Sequence, residues 1–210
     1  MNTSSAQFPY PWQRCKIIHL VRHGQAMHNV EGDEDRKALV CKLGKDVHAS
    51  GLFKKIDLVI TSPLYRTMQT AMGVFGSENQ ADGGNNGLNC PQIMAVELCR
   101  DRMMEKKTAC GIRRSEEEMA ARMVLFMEWL WTRPEQEIVI VSHGIILQKI
   151  LYVLGNDCHP TIRSALCKRF GNCELRSVVN VDKRLREADS PLCSPTDVAN
   201  LNVSRGEVSN

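Results

Sequence analysis

The sequence has 210 residues, 43% of them hydrophobic, 24% charged and 5% aromatic, with a formal net charge of +3. That length suits one domain with a sizeable core, and two would be cramped. So small a charge, with no basic stripe carrying aromatics, argues against nucleic acid or an anionic membrane as a partner.

Nine cysteines are scattered from Cys15 to Cys193, with no two-residue spacing of a zinc knuckle or redox pair. Met1 to Arg14 is polar and reads as a flexible N-terminus without a signal peptide. Reduced thiols follow, and with them a cytoplasmic or nuclear location. The most apolar segment, Ile138 to Leu154, is interrupted by Ser142, His143, Gly144, Gln148 and Lys149. It is shorter than the roughly 20 apolar residues of a spanning helix.

In chain order, Lys16 to Val21 (KIIHLV) predicts a buried strand, and Asp35 to Val47 a weakly patterned helix. Ile56 to Thr61 predicts a second strand. Ser62-Pro63 then supplies an N-cap and a first-turn proline for a helix, with Leu64, Met68, Ala71, Met72 and Phe75 on one face and Gly76 ending it. Ser77 to Asn89, rich in Gly and Asn, reads as a loop, and Gln92 to Leu98 as a third strand. Ser115 to Glu118 is a capping box opening a helix whose core face carries Met119, Met123, Met127 and Leu130. Glu137 to Val141 predicts a fourth strand, Ile145 to Leu154 a helix closed by Gly155, and Leu175 to Val181 a last strand. Residues 15–182 are thus expected to form one domain, with 183–210 a disordered tail. Alternating strands and helices predict a three-layer α/β/α sandwich around a mostly parallel sheet.

In such sheets, sites gather at the carboxyl ends of the strands. Three predicted strands end there in basic residues: Arg22-His23-Gly24, Ser62-Pro63 with Arg66 one turn on, and Ser142-His143-Gly144. Two arginines and two histidines brought to one edge make an anion pocket, and arginine forks suit phosphate oxygens. A neutral imidazole in line with phosphorus is a competent nucleophile, so a phosphohistidine route needs no metal and no cofactor. A general acid must still protonate the leaving oxygen, and Glu97 and Asp101 are the candidates.

Leu20-Val21-Arg22-His23-Gly24 followed by Asn29 resembles the signature of the histidine phosphatase superfamily. Ser62 to Thr67 with Gln69-Thr70, and Val141 to Gly144, resemble its second and third motifs. Gly155 to Pro160 and Asn172 to Ser177 resemble the plant phosphoglycerate mutase-like branch in particular. The resemblance runs from about residue 16 to 182 in the family's order. It implies a phosphoglycerate mutase-like fold and a phosphorylated nucleophile at His23, with Arg22, Arg66 and His143 on the phosphoryl oxygens. It also implies Asn29 and Gln25 lining the pocket, and Asp101, ahead of Glu97, as proton donor where the family usually has Glu. The implied activity is metal-independent phosphomonoester hydrolysis on a phosphorylated small molecule or phosphoprotein. The alternative is a catalytically impaired member that binds phosphorylated ligands or a protein partner.

Two stretches are shorter than that branch leads one to expect: Glu31 to Leu52, with Leu43-Gly44 as a remnant, and Arg102 to Arg114. The first predicts an uncovered sheet face. The second predicts a site open to water, which favours hydrolysis over mutase chemistry. Simpler roles are expected for His19 as a satisfied core histidine and for the methionine stripe as packing. A metal site on His19, His23 and His28 lacks suitably spaced carboxylates or cysteines. Cys158-His159-Pro160 reads as a turn.

Overall fold

The computed structural model describes residues 15–24, 32–76, 90–101, 116–155 and 159–181. Five strands run through them: β1 (Cys15–Arg22), β2 (Leu58–Thr61), β3 (Gln92–Ala95), β4 (Glu137–Ser142) and β5 (Leu175–Val181). The helices are α1 (Gly32–Ala49), α2 (Tyr65–Phe75), α3 (Glu116–Thr132), α4 (Gly144–Leu154) and α5 (Pro160–Leu166). The strands lie in the order β3-β2-β4-β1-β5. All neighbours are parallel except β5, which runs antiparallel to β1. The chain belongs to the α/β class predicted for it, with a mostly parallel sheet.

Residues alternate across each strand, so near-continuous apolar runs bury both faces. On one face Ile18, Leu20, Leu58, Ile60, Ile138 and Ile140 pack against α3 and α4 through Met123, Phe126, Leu130, Ile146 and Ile150. On the other, Val21, Val59, Val139 and Val141 pack against Leu43 and Val47 of α1 and Ala71, Val74 and Phe75 of α2. Each fully buried aliphatic or aromatic side chain contributes about 1.5–3 kcal/mol to this three-layer core. Among the described residues, no helix is long and apolar enough to cross a membrane.

Six expectations change. The sheet face expected to be bare is covered: α1 is longer than Asp35 to Val47 and seats Leu43 and Val47 on it. It crosses α2 closely at Gly73, where a Cβ would stand only 2.6 Å from Val40 Cγ1. The helix predicted to start at Ser62-Pro63 starts at Tyr65, because Leu64 keeps an extended backbone. Its buried face is Thr67, Thr70, Ala71, Val74 and Phe75, whereas Met72 is exposed. Threonine replaces the expected apolar residues there because its hydroxyls are satisfied: Thr67 Oγ1 donates to Ser62 O at 2.8 Å, and Thr70 Oγ1 to Arg66 O at 2.8 Å. The third strand stops at Ala95, and Glu97–Cys99 form a 3-10 turn instead. Pro160, expected in a turn, occupies the first turn of α5, after an N-cap at His159. Ser115 of the capping box and His28 lie outside the described residues.

Candidate active site

Parallel pairing settles where the three basic motifs meet. Arg22 stands opposite Ser142, and Thr61 opposite Val141, so β1, β4 and β2 end side by side. Backbone bonds continue past the strand ends, from His23 N to Ser142 O at 3.0 Å and from Ser62 N to Val141 O at 3.1 Å. The His23 and His143 rings are thereby held edge to face, 4.9 Å between centroids.

The orientation of His23 follows from its partners. Its Nδ1 lies against the Gly24 carbonyl, which only accepts, so Nδ1 carries the proton. Nε2 then presents its lone pair, and Arg66 Nε donates to it at 3.2 Å. The Gly24 peptide is itself pinned by α2, its N–H donating to Thr70 Oγ1 at 3.1 Å. Burial is the largest cause that lowers the His23 pKa to about 4, and the Arg66 and Arg22 charges add to it. The imidazole is neutral at physiological pH.

Arg66 ties the cluster together. Its Nη2 donates to Asp101 Oδ2 at 2.8 Å and stands 3.1 Å from His143 Nδ1. Arginine cannot accept, so Nδ1 accepts here and His143 Nε2 donates to Ser62 Oγ at 2.9 Å. Asp101 Oδ2 is also 3.3 Å from His143 Nδ1, placed to accept from it should that nitrogen gain a proton. Burial first, then the charges of His23, Arg66 and Arg22, bring the His143 pKa down to about 3 against the pull of Asp101. Asp101 reaches the cluster because the 3-10 turn before it is fastened to β4, where Ser142 Oγ donates to Cys99 O at 2.7 Å. Cys99 is no rival nucleophile, since burial raises its thiol pKa to about 12.

Arg22 approaches from the other side, its Nη1 donating to Phe170 O at 2.6 Å. A Cβ on Gly144 would lie 3.5 Å from Arg22 Nε, so this guanidinium sits against the first residue of α4, next to His143. Oriented backbone N–H groups at that helix start favour an anion in the same place.

Of the residues singled out from sequence, Arg22, His23, Arg66, Asp101 and His143 converge. Glu97 does not: it is exposed and pairs with Arg100 at 2.8 Å, because the 3-10 turn directs it outward. Gln25 and Asn29 lie outside the described residues. Thr70, Ser62 and Ser142, none of them a site residue on the sequence pattern, each hold a site group in place. Spacing offers a signal for Thr70, which follows Arg66 by four residues and so stands one turn along the same helix. His19 lies mid-strand with both nitrogens engaged, by Ser177 Oγ at 2.7 Å and Glu137 Oε1 at 3.2 Å.

No family model matches the chain. Among curated proteins, phosphoglycerate mutase-like protein 1 of Arabidopsis thaliana is 38% identical over 253 residues, covering 90% of this chain and 90% of the relative. The chain belongs to the plant phosphoglycerate mutase-like family. The span compared, 253 residues, exceeds the whole 210-residue chain, so the relative carries residues that this family member lacks. Solved structures agree on the fold of the family. A phosphoglycerate mutase from Bacillus anthracis superposes with a TM-score of 0.57 at 13% identity, covering 80% of this chain and 89% of that one. A mycobacterial glucosyl-3-phosphoglycerate phosphatase gives 0.54 at 15% identity, covering 79% and 97%.

Proposed function

We propose that this family member hydrolyses phosphomonoesters without a metal, by transient phosphorylation of His23. The observation that carries the reading is the neutral His23 with its proton on Nδ1 and its Nε2 lone pair among Arg66, His143 and Asp101. Nε2 attacks phosphorus as the ester P–O bond breaks, and Arg22 and Arg66 hold the phosphoryl oxygens, joined by His143 once its proton moves to Nδ1 and Ser62 Oγ donates to Nε2 instead. Water then attacks the phosphohistidine and regenerates His23. Asp101, which Arg66 Nη2 holds beside the cluster, gives a proton to the leaving oxygen and takes one back from the attacking water, so that phosphate leaves and both residues are restored. The substrate is a phosphorylated small molecule or a phosphoprotein, and the short Arg102 to Arg114 stretch favours water over a second substrate as acceptor. Residues 15–182 act as the working domain, in a cytoplasmic setting.

One contact favours a second reading. Arg66 Nε donates to the same Nε2 that must attack. A chain in which that bond persists with ligand bound would hold phosphorylated ligands, or a protein partner, without turning them over. The test is p-nitrophenyl phosphate hydrolysis in the presence of EDTA by the chain and by His23→Ala. The proposal expects turnover that His23→Ala lowers by about 10³-fold or more. No turnover from folded protein that still binds phosphate would favour the second reading.

A further inference from the structure

The segment from Leu166 to Glu174 crosses the carboxyl end of β1, and the Asn172 to Ser177 motif within reach of it has no task in the reaction above. Arg176 of β5 gathers that segment. Its Nη1 donates to Leu166 O at 3.1 Å and Lys168 O at 2.7 Å, and its Nη2 to Arg169 O at 2.9 Å. Its Nε donates to Glu174 Oε1 at 2.6 Å, while Glu174 Oε2 accepts the Gly171 N–H at 2.5 Å. The same guanidinium lies 3.9 Å over the Phe170 ring, which is buried.

With those carbonyls turned to Arg176, the Phe170 carbonyl is left facing Arg22, whose Nη1 it accepts at 2.6 Å. The main chain of Arg22 is bracketed too: its N–H donates to Glu174 O at 3.2 Å, and its carbonyl accepts from Cys173 N at 3.0 Å. That exchange needs Cys173 at φ 53°, in the left-handed region. For a residue with a side chain this conformation persists only where the surroundings over-determine it. What remains on Arg22 is one edge. Nε is buried without a hydrogen-bond partner among the described residues, and in a planar guanidinium its N–H lies on the same edge as Nη2. That pair is the fork that takes two oxygens of one phosphoryl group.

We propose that Arg176 is a positioning residue for phosphoryl recognition: with Glu174 it fixes the Leu166 to Glu174 segment, so that the Phe170 carbonyl holds Arg22 with its Nε–Nη2 edge open to the phosphoryl group. The proposal rests on reading the cleft as a phosphoryl site, and it adds residues from a motif outside the cleft.

Calorimetric titration with inorganic phosphate tests it, on chains shown to be folded by near-ultraviolet circular dichroism. Arg22→Ala is expected to bind about 10–100-fold more weakly, the loss of charged hydrogen bonds. Arg176→Met, which keeps length and packing on Phe170, is expected to bind about 5–20-fold more weakly because Arg22 loses its aim. Arg176→Lys keeps the charge but not the fork, and is expected to be no better than Arg176→Met; it also serves if the methionine variant does not fold. Because Arg176 acts through Arg22, the Arg22→Ala/Arg176→Met chain should bind like Arg22→Ala alone. Losses that multiply in the double variant, full affinity in Arg176→Met, or recovery by Arg176→Lys would each overturn the positioning role. Wild-type affinity in Arg22→Ala would instead sink the phosphoryl-site reading beneath it.

Discussion

β1 buries a histidine at its middle and another at its carboxyl end, four residues apart. Both are nearly sealed, at 4% exposure for His19 and 8% for His23, and burial is the largest cause lowering both pKa values. Their company differs. His19 is pinned by strand register, opposite Ser177 on β5 and near Glu137 on β4, so both nitrogens have fixed partners. At the carboxyl end the ladder stops, and the neighbours of His23 come from turns and helix starts. One nitrogen is fixed by Gly24, while the other faces the side chain of Arg66, which can re-pair with an anion. Burial alone therefore does not separate the two histidines; an exchangeable partner of positive charge beside a neutral nitrogen does.

The sharpest way to press that contrast is through the carboxylate in each set, Asp101 at the site and Glu137 mid-sheet. Asp101→Asn is expected to slow hydrolysis of a poor leaving group such as an alkyl phosphate by about 10²–10⁴-fold, and to affect a nitrophenyl ester far less. Steady-state rates across a leaving-group series check this, and a uniform loss across the series would remove Asp101 as proton donor. Glu137→Gln should leave kcat/KM within about twofold, because no reacting atom is near it. Next in size, His19→Leu leaves Ser177 and Glu137 without their shared partner. Denaturant unfolding should then show a loss of about 1–3 kcal/mol with the remaining activity unchanged. If activity fell in step with His23→Ala, the two histidines would not be separable as argued.

Another effect concerns acid. His23 and His143 titrate near 6.5 when unfolded but at about 4 and about 3 when folded. From pH 6.5 downward the unfolded chain therefore binds more protons, and stability falls as pH falls through that window. Because His23 stays neutral well below 6.5, the acid limb of kcat/KM should have no step near pH 6.5 that belongs to the nucleophile. Thermal melts and rate profiles between pH 4 and 8 read both effects.

Much of this was legible in the sequence. Apolar runs that end in Arg-His or Ser-His announce strand ends, and a parallel sheet must bring such ends to one edge. The methionine stripe of α3 likewise fell on the core as its spacing requires: Met119, Met123, Met127 and Leu130 are all buried. What stayed hidden depends on backbone shape more than on residue type. Leu64 reads as helical but is extended, which rotates the α2 face and buries Thr67 and Thr70 in place of Met72. Val96 to Leu98 reads as strand but turns after Ala95, and that turn sends Glu97 outward and Asp101 inward. The antiparallel entry of β5, which brings Arg176 and the Phe170 carbonyl to Arg22, has no local signal at all.

If His23 Nε2 takes the phosphoryl group, the phosphohistidine can be trapped during turnover. The chain is mixed with a ³²P-labelled aryl phosphate, quenched in alkali during turnover, and digested for mass spectrometry, with His23→Ala alongside. An acid-labile, alkali-stable label is expected on the peptide holding His23, attached at Nε2 and absent from the variant. A label on any other residue, or turnover by folded protein with no label at all, would contradict it.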